Sequence, residues 1–236
     1  MTTGAQRKKI NDLELSILIP CLNERNTVKI CINKAKAFLE KNKITGEVLV
    51  SDNGSTDGSL EIIKETGARL VITKEKGYGN ALINGINHAR GKYVLMCDSD
   101  GSHDIDNAMP FLIKLREGND LVVGNRFGNI EKGAMKLSHY IGVKFLTELA
   151  NIIHGTDLRD YHCGLRGGNL KKMKMLECEC GGMDFASEMI IKSQKMHYKI
   201  AEVSTTMFKD GRGARSHLRA IPDGIRHLRT IFKLIF

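Results

Sequence analysis

Asp98 and Asp100 close an apolar run, Lys92-Tyr93-Val94-Leu95-Met96-Cys97, with one serine between them. Side chains alternate along an extended chain, so the two carboxylates point the same way. Like charges held side by side repel. A hard divalent cation carrying a diphosphate matches such a pair in charge and in its preference for oxygen. A second apolar run, Val48-Leu49-Val50-Ser51, also ends in a carboxylate, Asp52, and continues into Asn53-Gly54-Ser55-Thr56-Asp57. Asn53-Gly54-Ser55 has turn chemistry, so Asp52 suits a turn or helix cap as well as a ligand site. The stretch 98–106 likewise reads as an acidic turn as well as a metal site.

Alternating strands and helices must position these residues. Strands are expected over 15–20, 47–51, 69–73, 92–97 and 120–123, and helices over 27–40, 59–65, 78–89 and 107–116. This alternation predicts an α/β fold, a Rossmann-like, mainly parallel twisted sheet flanked by helices. Such sheets bind ligands at the carboxyl ends of their strands, where Asn23-Glu24, Asp52 and Asp98-Ser99-Asp100 all fall. The second half is less regular, with helices expected over 137–153 and 184–196, a loop or strand over 160–168 and a strand over 199–207. Ile221, Ile225, Leu228, Phe232 and Ile235 recur at helical spacing among Arg226, Arg229 and Lys233. That is a basic amphipathic C-terminal helix, suited to a membrane interface or to packing on the domain. The division expected is a polar N-terminal extension over 1–14, one domain over 15–220, and a membrane-proximal helix over 221–236.

The chain has 236 residues, enough for one large domain with a real core. No apolar run reaches the roughly 18 residues of a membrane span. The first residues are polar and basic, unlike a secretory signal, which predicts the cytosol or the cytosolic face of a membrane. Six cysteines without a C-x-x-C pair predict neither a disulfide framework nor a zinc site. A net charge of +9 suits nucleic acid, anionic lipid or phosphorylated substrates alike, and its excess lies toward the C-terminus. A non-catalytic nucleic-acid-binding protein is therefore one alternative reading. Against it, aromatics are 6% and Trp is absent, which leaves no obvious stacking platform.

Four segments occur in a particular order. Pro20-Cys21-Leu22-Asn23-Glu24 follows the first strand and Ser51-Asp52-Asn53-Gly54-Ser55-Thr56-Asp57-Gly58 the second. Gly77-Tyr78-Gly79-Asn80-Ala81 opens a helix, and Asp98-Ser99-Asp100 ends the fourth strand. The set resembles family 2 glycosyltransferases of the GT-A fold, most closely the branch of dolichyl-phosphate mannose synthase and bacterial polyprenyl-phosphate glycosyltransferases. The resemblance runs from about residue 15 to the C-terminus. Gly124-Asn125-Arg126-Phe127, Asp160-Tyr161-His162-Cys163-Gly164-Leu165-Arg166, Met183-Asp184-Phe185-Ala186-Ser187-Glu188 and the basic loop from Asp210 extend it. Several relatives continue into transmembrane helices beyond the position of Phe236.

The resemblance implies an inverting, metal-dependent transfer of a sugar from a UDP- or GDP-linked donor to a polyprenyl phosphate. Transfer to a glycan or other hydroxyl is the alternative within enzymes. Pro20, Leu22, Asn23, Glu24, Asp52, Gly54, Gly77, Gly79, Asp98 and Ser99 would hold the nucleotide. Asp98 and Asp100 would hold Mg²⁺ or Mn²⁺. One departure stands out: Ser102 occupies the glutamine position of the D-A-D-x-Q-H that the mannose synthases carry, while His103 is kept. Arg126, Arg212 and Arg215 would contact phosphates, with a salt-bridged or surface role equally open for Arg126. A hydroxyl acceptor needs a general base, for which Asp160, Asp184 and Glu188 are candidates, Asp160 first. A lipid phosphate, with a second pKa near ~6, needs none. His139, His154 and His162 have no evident partners and read as structural or exposed. The expected partners are the nucleotide sugar, the lipid phosphate and the membrane surface, with no nucleic acid.

Overall fold

The computed structural model describes residues 13–213 and 219–235. Its strands are β1 (Leu15–Cys21), β2 (Gly46–Asp52), β3 (Arg69–Ile72), β4 (Tyr93–Met96), β5 (Leu121–Asn125), β6 (Arg166–Asn169) and β7 (Ile200–Ser204). They form one seven-stranded sheet in the order β3-β2-β1-β4-β6-β5-β7. The helices are α1 (Val28–Lys41), α2 (Ser59–Thr66), α3 (Tyr78–His88), α4 (Met109–Arg116), α5 (Leu137–His154), α6 (Leu170–Met175), α7 (Phe185–Lys195) and α8 (Ala220–Lys233). A 3-10 turn spans Ile105–Asn107.

The central strands carry apolar residues pointing to both sides because both faces of the sheet are covered. Ile17, Ile19, Val48, Val50 and Leu95 face α1 and α4, where Val28, Ile32, Phe111 and Leu112 complete one core. Leu18, Leu49, Val94 and Met96 face the other way, onto Leu82 and Ile86 of α3 and Phe185, Met189 and Ile190 of α7. A one-residue register slip would exchange these two sets, so packing fixes the pairing of Leu15 with Gly46 and Cys21 with Asp52.

β6 is antiparallel to both its neighbours, β4 and β5. Its sequence, Arg-Gly-Gly-Asn, carries no strand pattern, and the reason is steric. A Cβ on Gly168 would lie 2.5 Å from the sulfur of Met173, and one on Gly167 3.1 Å from Leu115 Cδ1. The bare backbone lets α4 and α6 close over this strand.

The sheet order reverses beside β1. β2 and β3 lie on one side of it and β4 on the other, all parallel to it. The crevice at the carboxyl ends of β1 and β4 is therefore a topological switch point, the place where open α/β sheets bind ligands.

Candidate active site

The strand ends bring the four sequence segments to one edge. Ser99 Oγ donates to the carbonyl of Pro20 at 2.8 Å, tying the end of β4 to the end of β1. Asn23, at φ 55°, donates its N–H to Ser55 Oγ at 2.8 Å, and its Oδ1 accepts from Thr56 N–H at 2.8 Å. Glu24 N–H donates to Ser59 Oγ at 2.9 Å. The 20–24 loop is thus stitched to the loop after β2, with Leu22 half-buried between them.

Asp52 is fully buried. Its Oδ1 accepts from Gly54 and Ser55 N–H at 2.8 and 2.9 Å, forming the turn expected from Asn53-Gly54. Gly54 supplies the positive φ, 93°, that this turn requires. Asp52 Oδ2 is buried and has no hydrogen-bond partner among the described residues. Burial of an unmet carboxylate oxygen is costly, and here the protein's own described groups leave this acceptor unsatisfied.

Asp98 is gripped from two sides. Tyr78 Oη donates to its Oδ1 at 2.8 Å, and His103 Nε2 lies 2.9 Å from its Oδ2. Burial alone would raise the Asp98 carboxyl, but His103 and Tyr78 outweigh it and hold it below the usual carboxylate range. A charged carboxylate only accepts, so His103 Nε2 carries the hydrogen, and its buried Nδ1 has no partner among the described residues. Gly164 presses on this group: a Cβ there would lie 2.5 Å from Asp98 Oδ2 and 2.6 Å from His103 Nε2. The 160–166 segment is in this way packed against the end of β4.

Asp100 is nearly buried, and its Oδ1 accepts from the N–H and hydroxyl of Ser102 at 2.9 and 2.7 Å. Ser102 therefore orients Asp100. A strap formed by residues 207–213 lies alongside. Phe208 N–H donates to Ser102 O at 2.9 Å and Gly211 N–H to Asp100 O at 2.8 Å. The strap carries Arg212 into the site, where Nη2 donates to Asp100 Oδ2 at 2.8 Å and Nε to Glu24 Oε1 at 2.6 Å. Burial pushes the Glu24 carboxyl up against the opposing pull of Arg212. Arg215, the third arginine expected at the phosphates, lies outside the described residues.

Gly77 and Gly79 approach protein backbone. A Cβ on Gly77 would stand 2.1 Å from Gly181 O, and one on Gly79 2.0 Å from Cys180 O. Gly77, at φ 135°, also opens α3 so that Tyr78 reaches Asp98. Their expected role was approach to the nucleotide; the contact the structure contains is with residues 180–182.

The three candidate bases differ sharply. Asp160 is fully buried and forms a bidentate pair with Arg126, Nε to Oδ2 at 2.7 Å and Nη2 to Oδ1 at 2.9 Å. The N–H groups of Arg126 and His162 also donate to it, at 3.2 and 3.0 Å. Burial would raise this carboxyl, yet Arg126 and these hydrogen bonds lower it. A carboxylate so satisfied is a poor proton acceptor, and the same pairing occupies the Arg126 fork that was expected at a phosphate. Glu188, 3% exposed, accepts from the N–H groups of Glu179 and Cys180 and pairs with Lys192 Nζ at 2.9 Å. It organises the loop before α7. Asp184 is half-buried, starts α7 and accepts from Thr230 Oγ1 of α8 at 3.0 Å, and so keeps the most accessible carboxylate of the three.

His162 does have partners. Its ring meets His227 of α8 edge-on at 4.4 Å, and Ser187 Oγ lies 2.9 Å from His227 Nδ1 and 3.3 Å from His162 Nε2. Burial pushes both imidazoles down, His227 to about 4. Tyr78, Gly164 and His227 were not singled out from sequence. Tyr78 had a signal, since it sits inside the Gly77-Tyr78-Gly79 segment at the start of a helix aimed at a strand end. The long-range partners of Gly164 and His227 left none.

Asp98 and Asp100 offer carboxylate oxygens, the donors Mg²⁺ and Mn²⁺ prefer. Among the described residues no group of three or more His, Cys, Asp or Glu side chains is arranged to hold an ion alone. Such a donor set fits a cation that keeps water and shares the phosphate oxygens of its ligand.

A mostly parallel sheet with acidic strand ends at its switch point is the architecture of GT-A glycosyltransferases. Solved structures agree on the fold. Glucosyl-3-phosphoglycerate synthase from Mycobacterium tuberculosis, in complex with phosphoglyceric acid, superposes with a TM-score of 0.74 at 19% identity, covering 100% of this chain and 84% of that one. The same enzyme with Mn²⁺, UDP-glucose and phosphoglyceric acid gives 0.73 at 18% identity, again over 100% of this chain and 84% of that one. The family model for glycosyl transferase family 2 matches residues 16–174, more than half of the chain, and the chain belongs to that family. It is 36% identical over 218 residues to the low-salt glycan biosynthesis hexosyltransferase Agl6 of Haloferax volcanii, covering 91% of this chain and 52% of that protein. It is 32% identical over 209 residues to glycosyltransferase AglJ of the same organism, covering 88% of this chain and 67% of that protein. The chain thus spans about half to two thirds of the length of these relatives.

Proposed function

We propose that this chain transfers a sugar from a nucleoside diphosphate to a polyprenyl phosphate at the cytosolic face of a membrane, with inversion at the anomeric carbon. The observation that carries the donor half is the switch-point crevice. There the unmet Oδ2 of Asp52, at the end of β2, and the Asp98-Ser99-Asp100 end of β4 flank the end of β1 from its two sides. A base N–H or a ribose hydroxyl satisfies Asp52. The 20–24 loop, tied to residues 55–59, walls the nucleoside side. Asp98, held charged by Tyr78 and His103, and Asp100, oriented by Ser102, are the residues that would hold Mg²⁺ or Mn²⁺. When bound, that ion neutralises the charge that develops on the departing diphosphate. The complexes of the mycobacterial synthase with Mn²⁺ and UDP-glucose support the same donor class.

The acceptor half rests on α5 and α8, which pack together, with His154 Nε2 3.0 Å from Ile231 O. Leu137, Ile141, Phe145 and Ile152 of α5 and Ile221, Ile225, Phe232 and Ile235 are all exposed. Lys136, Arg226, Arg229 and Lys233 are exposed beside them. Apolar side chains among cations suit an anionic bilayer surface. No described helix is long and apolar enough to cross a membrane, so these helices would lie on it. Tyr140 of α5 also stacks edge-on against Phe127 at 4.9 Å, next to Arg126, which links this surface to the end of β5. A lipid phosphate is already anionic at neutral pH and attacks without a base, in keeping with the engagement of Asp160 and Glu188.

A second reading, transfer to a glycan hydroxyl, is favoured by the accessible Asp184 as base and by the glycan biosynthesis role in the name of Agl6. The two separate in one assay, in which the protein is given UDP- and GDP-hexoses with polyprenyl phosphate in vesicles or with soluble oligosaccharides. Sugar in the lipid extract is expected. Sugar only in the aqueous glycan fraction would overturn the lipid reading.

A further inference from the structure

Arg212 is the one cationic side chain hydrogen-bonded to Asp100 among the described residues. Its Nη2 lies 2.8 Å from Asp100 Oδ2 and its Nε 2.6 Å from Glu24 Oε1. All three side chains are largely shielded, with 14% of the arginine, 11% of Asp100 and 3% of Glu24 exposed. The backbone holds the arginine there as well. Gly211 N–H donates to Asp100 O at 2.8 Å, and Asn26 Nδ2 donates to Arg212 O at 3.2 Å. The other oxygen of Asp100 is already committed to Ser102. The oxygen that an incoming cation would take is therefore the one that Arg212 holds.

We propose that Arg212 serves as a built-in counter-ion of the donor site, which makes cation binding depend on the nucleotide. This rests on the reading of Asp100 as a metal ligand. In the absence of ligand the guanidinium neutralises Asp100 and Glu24, and a free divalent ion must displace a shielded, charge-assisted pair to enter. A nucleoside diphosphate changes the balance. Its phosphates give the planar guanidinium a second anionic partner of matching geometry, so the arginine can leave Asp100 without losing its pairing. Cation and nucleotide then bind with positive coupling, and by linkage each raises the affinity of the other by the same factor. Arg212 is in this sense a positioning residue. It sets the order and coupling of donor-site assembly rather than the chemical step.

The test measures Mn²⁺ binding alone by calorimetry and by the loss of free-Mn²⁺ electron paramagnetic resonance signal. The proteins are the wild type, Arg212→Gln, Arg212→Lys and Asp100→Asn, each with and without UDP or GDP. The expected result is weak Mn²⁺ binding by the wild type without nucleotide and at least about tenfold tighter binding by Arg212→Gln, the loss of one charge-assisted hydrogen bond being of that order. The enhancement of Mn²⁺ affinity by nucleotide should shrink in Arg212→Gln and largely return in Arg212→Lys, which keeps the charge. If Arg212→Gln binds Mn²⁺ no more tightly than the wild type, while the wild type with nucleotide binds it and Asp100→Asn does not, the counter-ion role is overturned and the donor site stands. If no protein binds Mn²⁺ with either nucleotide, the metal-site reading falls and the inference with it.

Discussion

Replacing Asp160 by asparagine should reveal what the Arg126–Asp160 pair does. Asp160 is fully buried, its partner's side chain is 7% exposed, and four N–H donors converge on the carboxylate. Asp160→Asn keeps the shape but leaves the guanidinium uncompensated in a site shielded from water. Breaking a buried pair by removing one charge typically costs about 3–5 kcal/mol. A domain of ordinary stability has about 5–15 kcal/mol in total. With a urea slope of about 2–3 kcal/mol per molar, the unfolding midpoint should fall by roughly 1–2 M. Replacing both residues, as Arg126→Met with Asp160→Leu, removes the stranded charge and should recover part of the loss, the backbone N–H groups of Arg126 and His162 being left without their acceptor. Equilibrium urea unfolding followed by circular dichroism reads each variant. An Asp160→Asn protein within about 1 kcal/mol of the wild type but without turnover would refute the structural account. It would return Asp160 to the role of general base.

Gly164→Ala would place a methyl 2.5 Å from Asp98 Oδ2 and 2.6 Å from His103 Nε2, so the acid–histidine pair must move. Nucleotide affinity in the presence of Mn²⁺ should fall at least about tenfold with the far-ultraviolet spectrum retained, given the roughly 1–3 kcal/mol of an overpacked site. Unchanged affinity would mean that Asp98 does not hold the donor. Acid should loosen the protein through His227, which burial holds at about 4 despite the pull of Asp184 and Asp223, with Arg166 adding to the depression. Between about pH 6.5 and 4 the unfolded chain takes up a proton that the folded chain refuses, so stability falls as pH drops, by up to roughly 3 kcal/mol. His227→Asn should flatten that part of the profile, and an unchanged slope in pH-dependent melting would refute the assignment.

The parallel half of the fold was legible because its strands carry continuous apolar runs and its helices a 3.6-residue period. The runs at 15–20, 47–51 and 92–97 became β1, β2 and β4 with shifts of a residue or two. The α/β class followed from their alternation with helices. The segment of β6 reads equally as loop or strand because Gly167 and Gly168 serve neighbouring helices rather than a pattern of their own. The sheet order, with β6 inserted antiparallel between β4 and β5, is a long-range outcome that no local period encodes.

The acidic strand ends of the site were legible for the same local reason, since a carboxylate after an apolar run is visible in the sequence. The partners of those carboxylates were not. Asp160 stood out as a candidate base, but Arg126, 34 positions away, takes both its oxygens. Tyr78 reaches Asp98 across 20 positions and Arg212 reaches Asp100 across 112. Which charge is free and which is spent depends on such pairings, and these arise only once the sheet has brought the loops together.

The most direct test of the donor site is a calorimetric titration of UDP and GDP, each with and without Mn²⁺, into the wild type and Asp100→Ala. Metal-dependent binding of one nucleotide by the wild type, lost in Asp100→Ala, is the predicted result. Metal-independent binding, or binding of neither nucleotide, would contradict the account.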